Sequence, residues 1–587
     1  MTLLTPGNPH KRRRFFAASI ALFAFFFVFR LFFYQVIDAP EINKVSKENR
    51  SVTRTIKALR GDIVDANGNV LAHSVYTYDI NAAPKNVGPV NAVRNGQEVT
   101  LSVDQQAAEI ARILHLTKEE VLSKISGTGV YSNLAKGVSA AQYRALQNLD
   151  LPWLYYDPIL SRTYAEGATT GGIVGFVGVD GMPLAGIERQ MNSCLAGVDG
   201  QETFQRGAVD GIRIPSSAVI SQKAENGSTV QLTINKDLQY LAQNQLYSEV
   251  QRFRADWATA IVVEVKTGKI LVAAEAPSVD SNDFGVATED SRKSRIFETS
   301  FEPGSTMKTI TAATLIDTGR SNPESKTVAP YSLKIPGTVV QDSHHHPTQR
   351  LTLTGVLKDS SNTGIINLGQ AVPKQERYDY MRKFGFGSKT TVNFPGEASG
   401  ILNSPSTWDG TTDKVSMFGQ GVSVTPIQMA MAYQAIANKG VRLQPTLVAG
   451  CRDSRGNLTP VPVGAPTRVI SESTASQTLA MLEKVVQFGG IGKTAGLSEW
   501  RVGGKSGTAQ IRADNGRGYG YLHAVSFIGM APIEDPKYVV AVTFYKPRTV
   551  STSLGATPSF RYILKKALLM GGVAPSTTKS KRIALEW

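Results

Sequence analysis

The sequence has 587 residues, a formal net charge of +15 and a pI near 9.5. Its length predicts about two to four domains, and a composition of 42% hydrophobic and 19% charged residues excludes a disordered chain. Because no basic segment is interleaved with aromatic residues, we expect a solvated basic surface or an anionic cell envelope beside it, and no nucleic-acid partner.

An apolar segment at residues 15–37 follows a basic cluster at residues 10–14. It is long enough to cross a bilayer, which takes about 20 residues, and Arg30 lies near enough to its distal end to reach the headgroups. A cleaved signal peptide has a shorter apolar part and ends at small residues, which are absent here. We therefore expect a cytoplasmic tail at residues 1–14 and a retained single-pass anchor, with the remainder outside, since basic residues stay on the cytoplasmic side.

Residues 40–228 are expected to form a mixed domain, called the pedestal below. The region offers no set of residues with an evident chemistry, so it is interpreted as a spacer or docking domain. Its predicted elements are a strand at 62–65 entering a turn at Asn67-Gly68, amphipathic helices at 105–114 and 118–125, and a glycine-rich segment at 171–181.

The two cysteines, Cys194 and Cys451, lie far apart in the sequence and form no C-x-x-C motif. This spacing argues against a zinc or redox site. An exterior location permits a disulfide without requiring one. We expect two free, partly buried thiols.

Residues 229–572 are expected to form a second domain, followed by a basic tail at 573–587. Because its predicted helices lie between strands of an antiparallel sheet, the fold class is α+β. The predicted strands are 229–234, 258–265, 269–274, 502–510, 524–530 and 538–544, and the predicted helices begin near 237 and span 305–317 and 562–570.

The first of three short motifs is S-T-M-K at residues 305–308, preceded by Pro-Gly at a helix start. Ser305 and Lys308 therefore share one helix face. A serine hydroxyl is a weak nucleophile unless a base removes its proton, and a neutral lysine amine can do so. The helix N-terminus and a second cation nearby lower the pKa of such a lysine.

The second motif is S-S-N at 360–362, and the third is K-S-G-T at 505–508 on a predicted strand. Ser360 is a candidate proton relay, and Asn362 is a candidate ligand for a substrate amide. Lys505 can bind a substrate carboxylate and supply the second cation. Gly507 is expected to leave room for an acyl chain along the strand edge, and the N–H groups of Ser305 and Thr508 can form an oxyanion hole.

Each motif alone is weak, since a second S-x-x-K occurs at residues 576–579 and a second K-T-G at 266–268. The first of these lies in the tail and the other in a predicted hairpin turn, where no pocket is expected. S-x-N occurs once, at 360–362. The order of the three motifs, with the first opening a helix and the third on a strand, is typical of penicillin-recognising serine enzymes.

The sequence resembles the class B penicillin-binding proteins, most closely those of the cell-division type, the penicillin-binding protein 3 or FtsI family. The resemblance extends from the anchor almost to the end of the chain. It is also carried by supporting stretches, which are Arg60-Gly-Asp-Ile-Val-Asp65, Gly186-Ile-Glu188, Phe301-Glu-Pro-Gly304, Phe394-Pro-Gly-Glu397, Gly419-Gln-Gly421 and Thr425-Pro426.

The resemblance implies a pedestal followed by a D,D-transpeptidase domain whose antiparallel sheet is packed with helices, as in serine β-lactamases. It implies Ser305 as the acylated nucleophile and Lys308 as the base. The rest of the implied site is Ser360, Asn362, Lys505, Ser506 and Thr508. Two departures from the family are a serine at 506, where threonine is commoner, and Gly172, where histidine is expected.

The resemblance further implies septal cross-linking of peptidoglycan stem peptides, outside the cytoplasmic membrane of a bacterium. The implied inhibitors are β-lactams, which mimic the D-alanyl-D-alanine terminus. The implied partners are a polytopic, FtsW-like glycosyltransferase that polymerises lipid II and other division proteins. The chemistry needs no metal or organic cofactor.

Other functions stay open on the sequence. An elongation-type transpeptidase and a D,D-carboxypeptidase use the same three motifs, and the carboxypeptidase differs only in using water as acceptor. A β-lactamase is disfavoured because no further glutamate motif lies between Asn362 and Lys505, and a class A enzyme because residues 40–225 resemble no second catalytic domain. The non-enzymatic alternatives are a β-lactam sensor and a scaffold of the division complex.

Three polar features are given structural interpretations. His344, His345 and His346 are adjacent and cannot all converge on one ion, so a polar loop near the site is expected rather than a metal centre. Glu302 is expected to shape the turn before Ser305, and His523 to be structural.

Overall fold

The computed structural model describes residues 9–94, 97–206, 217–487, 489–513, 518–552 and 555–587. The chain forms two compact units, the first comprising Met1–Ala58 with Gly197–Asn226 and the second comprising Leu59–Ala196 with Gly227–Trp587. Each unit is described by itself below.

The strands in the described residues are, in chain order, β1 Ser51–Ile56, β2 Ile63–Val64, β3 Val70–Ala82, β4 Val90–Arg94, β5 Gln97–Leu101, β6 Ser132–Val138, β7 Leu154–Tyr164, β8 Gly200–Gln205, β9 Val219–Gln222, β10 Thr229–Leu232, β11 Trp257–Glu264, β12 Ile270–Ala276, β13 Lys326–Ala329, β14 Ser332–Ile335, β15 Thr338–Gln341, β16 Gln349–Thr352, β17 Val441–Arg442, β18 Val448–Arg452, β19 Leu458–Pro460, β20 Thr467–Arg468, β21 Gly503–Arg512, β22 Tyr519–Ala531 and β23 Tyr538–Tyr545.

The α-helices in the same residues are α1 Pro9–Phe32, α2 Ala39–Arg50, α3 Val103–Leu114, α4 Lys118–Ile125, α5 Ala140–Gln147, α6 Gly171–Val174, α7 Gly186–Gln190, α8 Asn192–Leu195, α9 Lys236–Phe253, α10 Met307–Asp317, α11 Leu353–Asp359, α12 Asn362–Gly369, α13 Lys374–Phe384, α14 Gly410–Val415, α15 Pro426–Ala437, α16 Glu472–Val486 and α17 Thr557–Met570.

In the first unit, α1 continues through the π-helical turn Phe33–Ile37 as one apolar helix with no buried residue. Over Pro9–Ile37 its mean hydropathy reaches 2.3, and among the described residues it is the one helix long and apolar enough to cross a membrane. It therefore fits the predicted single-pass anchor. The unit also contains α2 and an antiparallel sheet of order β1-β8-β9.

In the second unit, strands of the pedestal and of residues 229–572 share a seven-stranded sheet of order β19-β18-β10-β2-β3-β6, with β7 also paired to β3. The predicted strand at 62–65 is β2, and its turn leads into β3. The predicted helices at 105–114 and 118–125 are α3 and α4. Each begins with a capping box, at Ser102 and Thr117, which satisfies the free N–H groups of the first turn.

The motif residues of the pedestal form a buried ionic cluster. Glu188 is fully buried, and its carboxylate accepts hydrogen bonds from Arg60 Nε at 2.5 Å and Arg162 Nε at 2.7 Å. A buried carboxylate is stable only when it is paired in this way. The cluster therefore explains why Arg60 and the Gly-Ile-Glu stretch occur together.

Gly172 has no room for the histidine that the family pattern predicts. A Cβ atom at this position would lie 1.5 Å from Glu275 Oε1. Glu275 is itself buried, and burial raises the pKa of its carboxyl to about 8. In this chain, the space for a side chain at 172 is thus taken by a carboxyl from β12.

The second domain has a five-stranded antiparallel sheet of order β12-β11-β23-β22-β21. Along β11, Ala260 and Val262 face a core shared with α9 and α17, whereas Ile261 and Val263 face a core shared with α10 and α15. Such alternation places helices on both faces of the sheet and buries the central strands completely. The predicted α+β class is confirmed, and so are the predicted antiparallel strands apart from the one at 229–234, which is β10 and lies in the seven-stranded sheet, parallel to β2.

Two predicted helices of this domain have revised starts. The helix predicted at 305–317 is α10, which begins at Met307 and is preceded by a 3-10 turn at Gly304–Thr306. The helix predicted at 562–570 is α17, which already begins at Thr557. Its early residue Phe560 is fully buried and packs against Phe527 of β22, so the core extends this helix beyond its predicted start.

The prediction of free thiols is wrong, because Cys194 and Cys451 form a disulfide with a Cα–Cα distance of 6.2 Å. Cys194 lies on α8 and Cys451 on β18. β18 pairs with β10, and the main chain of Ser228, just before β10, donates to the carbonyl of Cys194. This pairing of elements distant in the chain could not be seen in the cysteine spacing.

Replacing both cysteines by serine is expected to lower the free energy of unfolding by about 2–4 kcal/mol, because the cross-link restricts the unfolded chain. The measurement is chemical denaturation of the oxidised protein and the double variant. Adding a reductant should bring the wild-type curve onto that of the variant. Identical curves for oxidised protein and double variant would contradict the prediction.

Candidate active site

Ser305 is the middle residue of the 3-10 turn that leads into α10, and its side chain is half-buried. The turn lies between β21 and the loop at 419. Gly304 has φ +56°, and a Cβ atom there would lie 2.9 Å from Ala509 Cβ of β21. A Cβ atom on Gly419 would lie 2.3 Å from the carbonyl oxygen of Gly304. Glycine is thus required on both sides for the turn to approach the strand.

Lys308 lies in the first turn of α10 and is fully buried. Burial lowers the pKa of its amine to about 7, and the negative charge of Asp342 opposes this by raising the pKa. A substantial fraction of the amine is therefore neutral near pH 7. Its Nζ atom donates to the carbonyl oxygen of Ser360 and, at 3.2 Å, to Ser360 Oγ. Within the described residues no hydrogen bond joins it to Ser305 Oγ, and catalytic hydrogen bonds are often long in the absence of substrate.

Ser360 joins the second and third motifs. It caps the C-terminus of α11 with φ 60°, a left-handed conformation that is uncommon for residues other than glycine and often marks a functional site. Its Oγ atom accepts from Lys505 Nζ at 2.9 Å as well as from Lys308 Nζ. One hydroxyl thus bridges two buried lysines that are far apart in the sequence.

Lys505 lies on β21, an edge strand of the sheet, and is fully buried. Burial, followed by the charge of Lys308, holds the pKa of its amine well below the usual range of lysine. Nζ also donates to the carbonyl oxygen of Ser506 at 3.2 Å and to Ser506 Oγ at 3.4 Å. Ser506 is buried, whereas Thr508 is exposed and available to a ligand.

The reason predicted for Gly507 needs correction. A Cβ atom at this position would lie 2.4 Å from Ser526 Oγ and 3.1 Å from both the carbonyl oxygen of Pro303 and Thr306 Cγ2. The space is therefore filled by protein atoms and not left for an acyl chain. Glycine at 507 lets the turn that carries Ser305 pack directly on β21.

Asp342 organises the S-S-N motif, and no sequence motif pointed to it. It is buried, and its carboxylate accepts from Ser361 Oγ at 2.6 Å and from the backbone N–H groups of Asn362 and Thr363. Asn362 Nδ2 in turn donates to the carbonyl oxygen of Gln341 at 2.7 Å. The Asp342 carboxylate thus holds the start of α12, and the neighbouring carbonyl of Gln341 holds the Asn362 side chain.

The histidine triplet lies beside Asp342, as the predicted polar loop near the site. His346 Nε2 is 3.1 Å from Asp342 Oδ2, and the rings of His345 and His346 pack against Tyr331. Among the described residues, no group of three or more His, Cys, Asp or Glu side chains could hold a metal ion. In the sequence, the feature that could have drawn attention to Asp342 is its position just before this triplet.

Glu302 has the shaping role that the sequence predicted. Its carboxylate accepts from the Gly421 N–H at 3.1 Å and from the Tyr519 hydroxyl at 3.0 Å. These bonds tie the segment before Ser305 to the Gly-Gln-Gly loop and to β22. His523, also on β22, lies opposite Gln510 in the strand register.

The chain matches two family models, the penicillin binding protein transpeptidase domain over residues 258–565 and the penicillin-binding protein dimerisation domain over 55–232. It is 33% identical to penicillin-binding protein PbpB of Mycolicibacterium smegmatis over 91% of this chain and 86% of that relative. It is 28% identical to peptidoglycan D,D-transpeptidase FtsI of Escherichia coli over 93% of this chain and 89% of that relative.

Solved structures have the same fold. A peptidoglycan synthetase from Bifidobacterium adolescentis superposes with a TM-score of 0.71 at 30% identity, over 92% of this chain and 100% of that one. Penicillin binding protein 3 from Mycobacterium tuberculosis, in complex with ampicillin, superposes with a TM-score of 0.70 at 28% identity, over 91% and 100%. With both domains matched in order and relatives aligned along nearly its whole length, the chain belongs to the class B penicillin-binding proteins, of the penicillin-binding protein 3 type.

Proposed function

We propose that this chain is a peptidoglycan D,D-transpeptidase that cross-links stem peptides through a serine acyl-enzyme in septal wall synthesis. The observation that carries the proposal is the bridge from Lys308 Nζ through Ser360 Oγ to Lys505 Nζ, beside the turn that carries Ser305. The name of its relative from Escherichia coli, peptidoglycan D,D-transpeptidase FtsI, supports it.

In the first step, neutral Lys308 takes the proton of Ser305 Oγ, which attacks the carbonyl carbon of the penultimate D-alanine of a donor stem peptide. The tetrahedral intermediate collapses as the peptide C–N bond breaks. The proton passes from Lys308 through Ser360 Oγ to the leaving nitrogen, and free D-alanine departs. The bridge of 3.2 and 2.9 Å supports Ser360 as the relay.

In the second step, the amine of a neighbouring stem peptide attacks the ester carbonyl of the acyl-enzyme. Its proton returns through the same groups to Ser305 Oγ, which leaves as the hydroxyl. The new amide bond is the cross-link, and Lys308 and Ser305 regain their starting protonation states. Proton transfer by positioned groups of this kind contributes about 10²–10⁴-fold to the rate of each step.

Substrate binding falls to the strand and loop that face Ser305. Lys505, with the hydroxyls of Ser506 and Thr508, binds the terminal carboxylate, and Asn362 binds a backbone amide of the donor. The N–H groups of Ser305 and Thr508 stabilise the oxyanion, each by about 3 kcal/mol. A β-lactam acylates Ser305 in the same way, and binding of ampicillin and aztreonam by a penicillin binding protein 3 from Mycobacterium tuberculosis supports this.

The anchor is proposed to leave the basic residues 10–14 in the cytoplasm and both large domains outside, since lysine and arginine are retained on that side. An exterior location agrees with the disulfide, which forms in oxidising compartments. The proposed partners are a polytopic glycosyltransferase that polymerises lipid II and other division proteins. The reaction requires no metal or organic cofactor.

The function is tested by labelling the full chain with a fluorescent penicillin and mapping the modified peptide. The adduct is expected on Ser305, and Ser305→Ala should abolish the label because no other hydroxyl replaces the nucleophile. Ser123→Ala, at an exposed position of α4 in the pedestal, is the control and should label normally. An adduct on another residue, or normal labelling of Ser305→Ala, would overturn the assignment.

The acylation rate is expected to rise with pH and to level off, with a midpoint near 7, because only the neutral amine of Lys308 accepts a proton and its pKa is about 7. Asp342 favours the charged amine, so its removal lowers that pKa. In Asp342→Asn the midpoint should therefore move to lower pH, and the plateau should fall because Asn362 loses its support. Stopped-flow acylation from pH 5 to 9 measures both. A midpoint that stays in place or moves upward contradicts the coupling.

A further inference from the structure

Residues 576–587, here called the tail strap, follow α17 and lie outside the matched transpeptidase region, which ends at 565. All of these residues are described, and none of them is buried. The strap is therefore not part of the hydrophobic core. It is nevertheless held to the second unit by hydrogen bonds near both of its ends.

The first end of the strap is bonded to the segment that leads into β21. Arg501, four positions before Lys505, donates from its backbone N–H to Ser576 Oγ at 2.9 Å and from Nη1 to Thr578 Oγ1 at 2.6 Å. Ser580 Oγ then donates to Glu483 Oε2 of α16 at 2.8 Å, and Arg501 Nη2 reaches the same carboxylate at 2.7 Å. The strap is thus attached to the segment just before β21, the strand that carries Lys505.

The other end is bonded to the start of α11. Thr352, the N-cap of this helix, donates from its N–H to the carbonyl oxygen of Leu585 at 2.9 Å and from Oγ1 to that of Ala584 at 2.7 Å. The ring of Trp587 lies near two cations, with Lys326 Nζ at 4.9 Å and Arg350 Cζ at 5.1 Å from its centroid. An isolated antiparallel bridge between Glu586 and Leu351 also joins this end of the strap to β16.

Gly355 fits this contact closely. A Cβ atom there would lie 2.1 Å from the carbonyl oxygen of Leu585, a backbone atom that cannot swing away. Glycine costs about 1 kcal/mol relative to alanine inside a helix. The close approach of the strap accounts for a glycine in a helix of seven residues.

We infer that the tail strap is a positioning element for the acylation step, tying the start of α11 to the base of β21 and so setting the position of Ser360 Oγ between the two lysines. The inference rests on the proposed function. α11 is short and ends at Ser360, so a shift at Thr352 is passed to the relay hydroxyl. Hydrogen bonds of 2.9 and 3.2 Å tolerate only small displacements.

The test is deletion of residues 576–587 from the full chain, followed by acylation of Ser305 with benzylpenicillin over a range of concentrations. The limiting rate constant should fall roughly tenfold to a hundredfold, as expected for a misplaced catalytic group. The half-saturating concentration should change little, because Lys505 remains on the sheet. A synthetic peptide of residues 576–587 should restore the rate. Such a rescue would show that the shortened chain is still folded and lacks only the strap.

Gly355→Ala in the full chain is the matched variant, since it displaces the strap while favouring the helix. It should reproduce the slow acylation and resist rescue by the peptide, whereas Gly285→Ala, where a Cβ atom meets nothing within 4 Å, should acylate normally. A full rate in the deletion or in Gly355→Ala, or a slow deletion that the peptide does not rescue, overturns the inference. If the intact chain were not labelled at Ser305, the result would instead contradict the proposed function.

Discussion

Replacing Lys308 by arginine is expected to slow acylation of Ser305 by a penicillin by about 10²–10⁴-fold, the usual contribution of a general base. Lys308 is fully buried, and its amine, with a pKa of about 7, is partly neutral at physiological pH. Arginine keeps the charge but does not lose its proton in proteins, so it cannot accept the proton of Ser305. Rapid-mixing labelling with a fluorescent penicillin measures the rate.

A second variant separates loss of the base from overpacking by the larger arginine side chain. Lys308→Met removes the amine with little change in side-chain length, and it should be slowed to the same degree. Lys136→Arg, at an exposed position of β6 in the pedestal, is the control and should keep the wild-type rate. Acylation of both Lys308 variants within threefold of wild type would mean that another group takes the proton.

Replacing Lys505 by methionine is expected to slow acylation by benzylpenicillin by about 10²–10³-fold, because losing one partner of a buried charge pair costs about 2–5 kcal/mol. Lys505 is fully buried on β21 and is held beside Ser506 and Ser360. Methionine fills a similar volume, and no carboxylate in the described part of the chain forms an ion pair with Lys505, so removing its buried amine should not destabilise the fold. The effect should therefore appear in ligand binding and not in thermal unfolding.

The methyl ester of the same penicillin provides the matched test, since it lacks the carboxylate that Lys505 is proposed to bind. Wild type and Lys505→Met should acylate with the ester at similar, low rates, so that the two changes are strongly non-additive. If Lys505→Met slowed the ester and the acid equally, Lys505 would act on the reaction itself rather than on the carboxylate.

The sequence predicted the elements whose signals are local. Short apolar runs identified β11, β12 and the three C-terminal strands, and apolar length identified the helix at Pro9–Ile37. The three motifs were found in the same way, from residue types at short spacing and from their order along the chain. Such features can be identified from the sequence alone because strands and helices repeat over only a few residues.

Only the tertiary structure decided which distant residues meet. The disulfide, the support of Asn362 by Asp342, and the true reason for glycine at 507 all depend on contacts between segments far apart in the sequence. The periodicity of the sequence does not indicate such partners, because they meet only when the elements pack together.

What the sequence by itself determined is therefore the order of the chain's parts, its α+β class and the chemical groups available for acyl transfer. The tertiary structure decided that one serine hydroxyl stands between Lys308 and Lys505 and that the tail strap reaches the helix carrying it. The physical reason is that propensity and patterning act over a few residues, whereas the pKa of a buried amine depends on every group that the fold gathers around it.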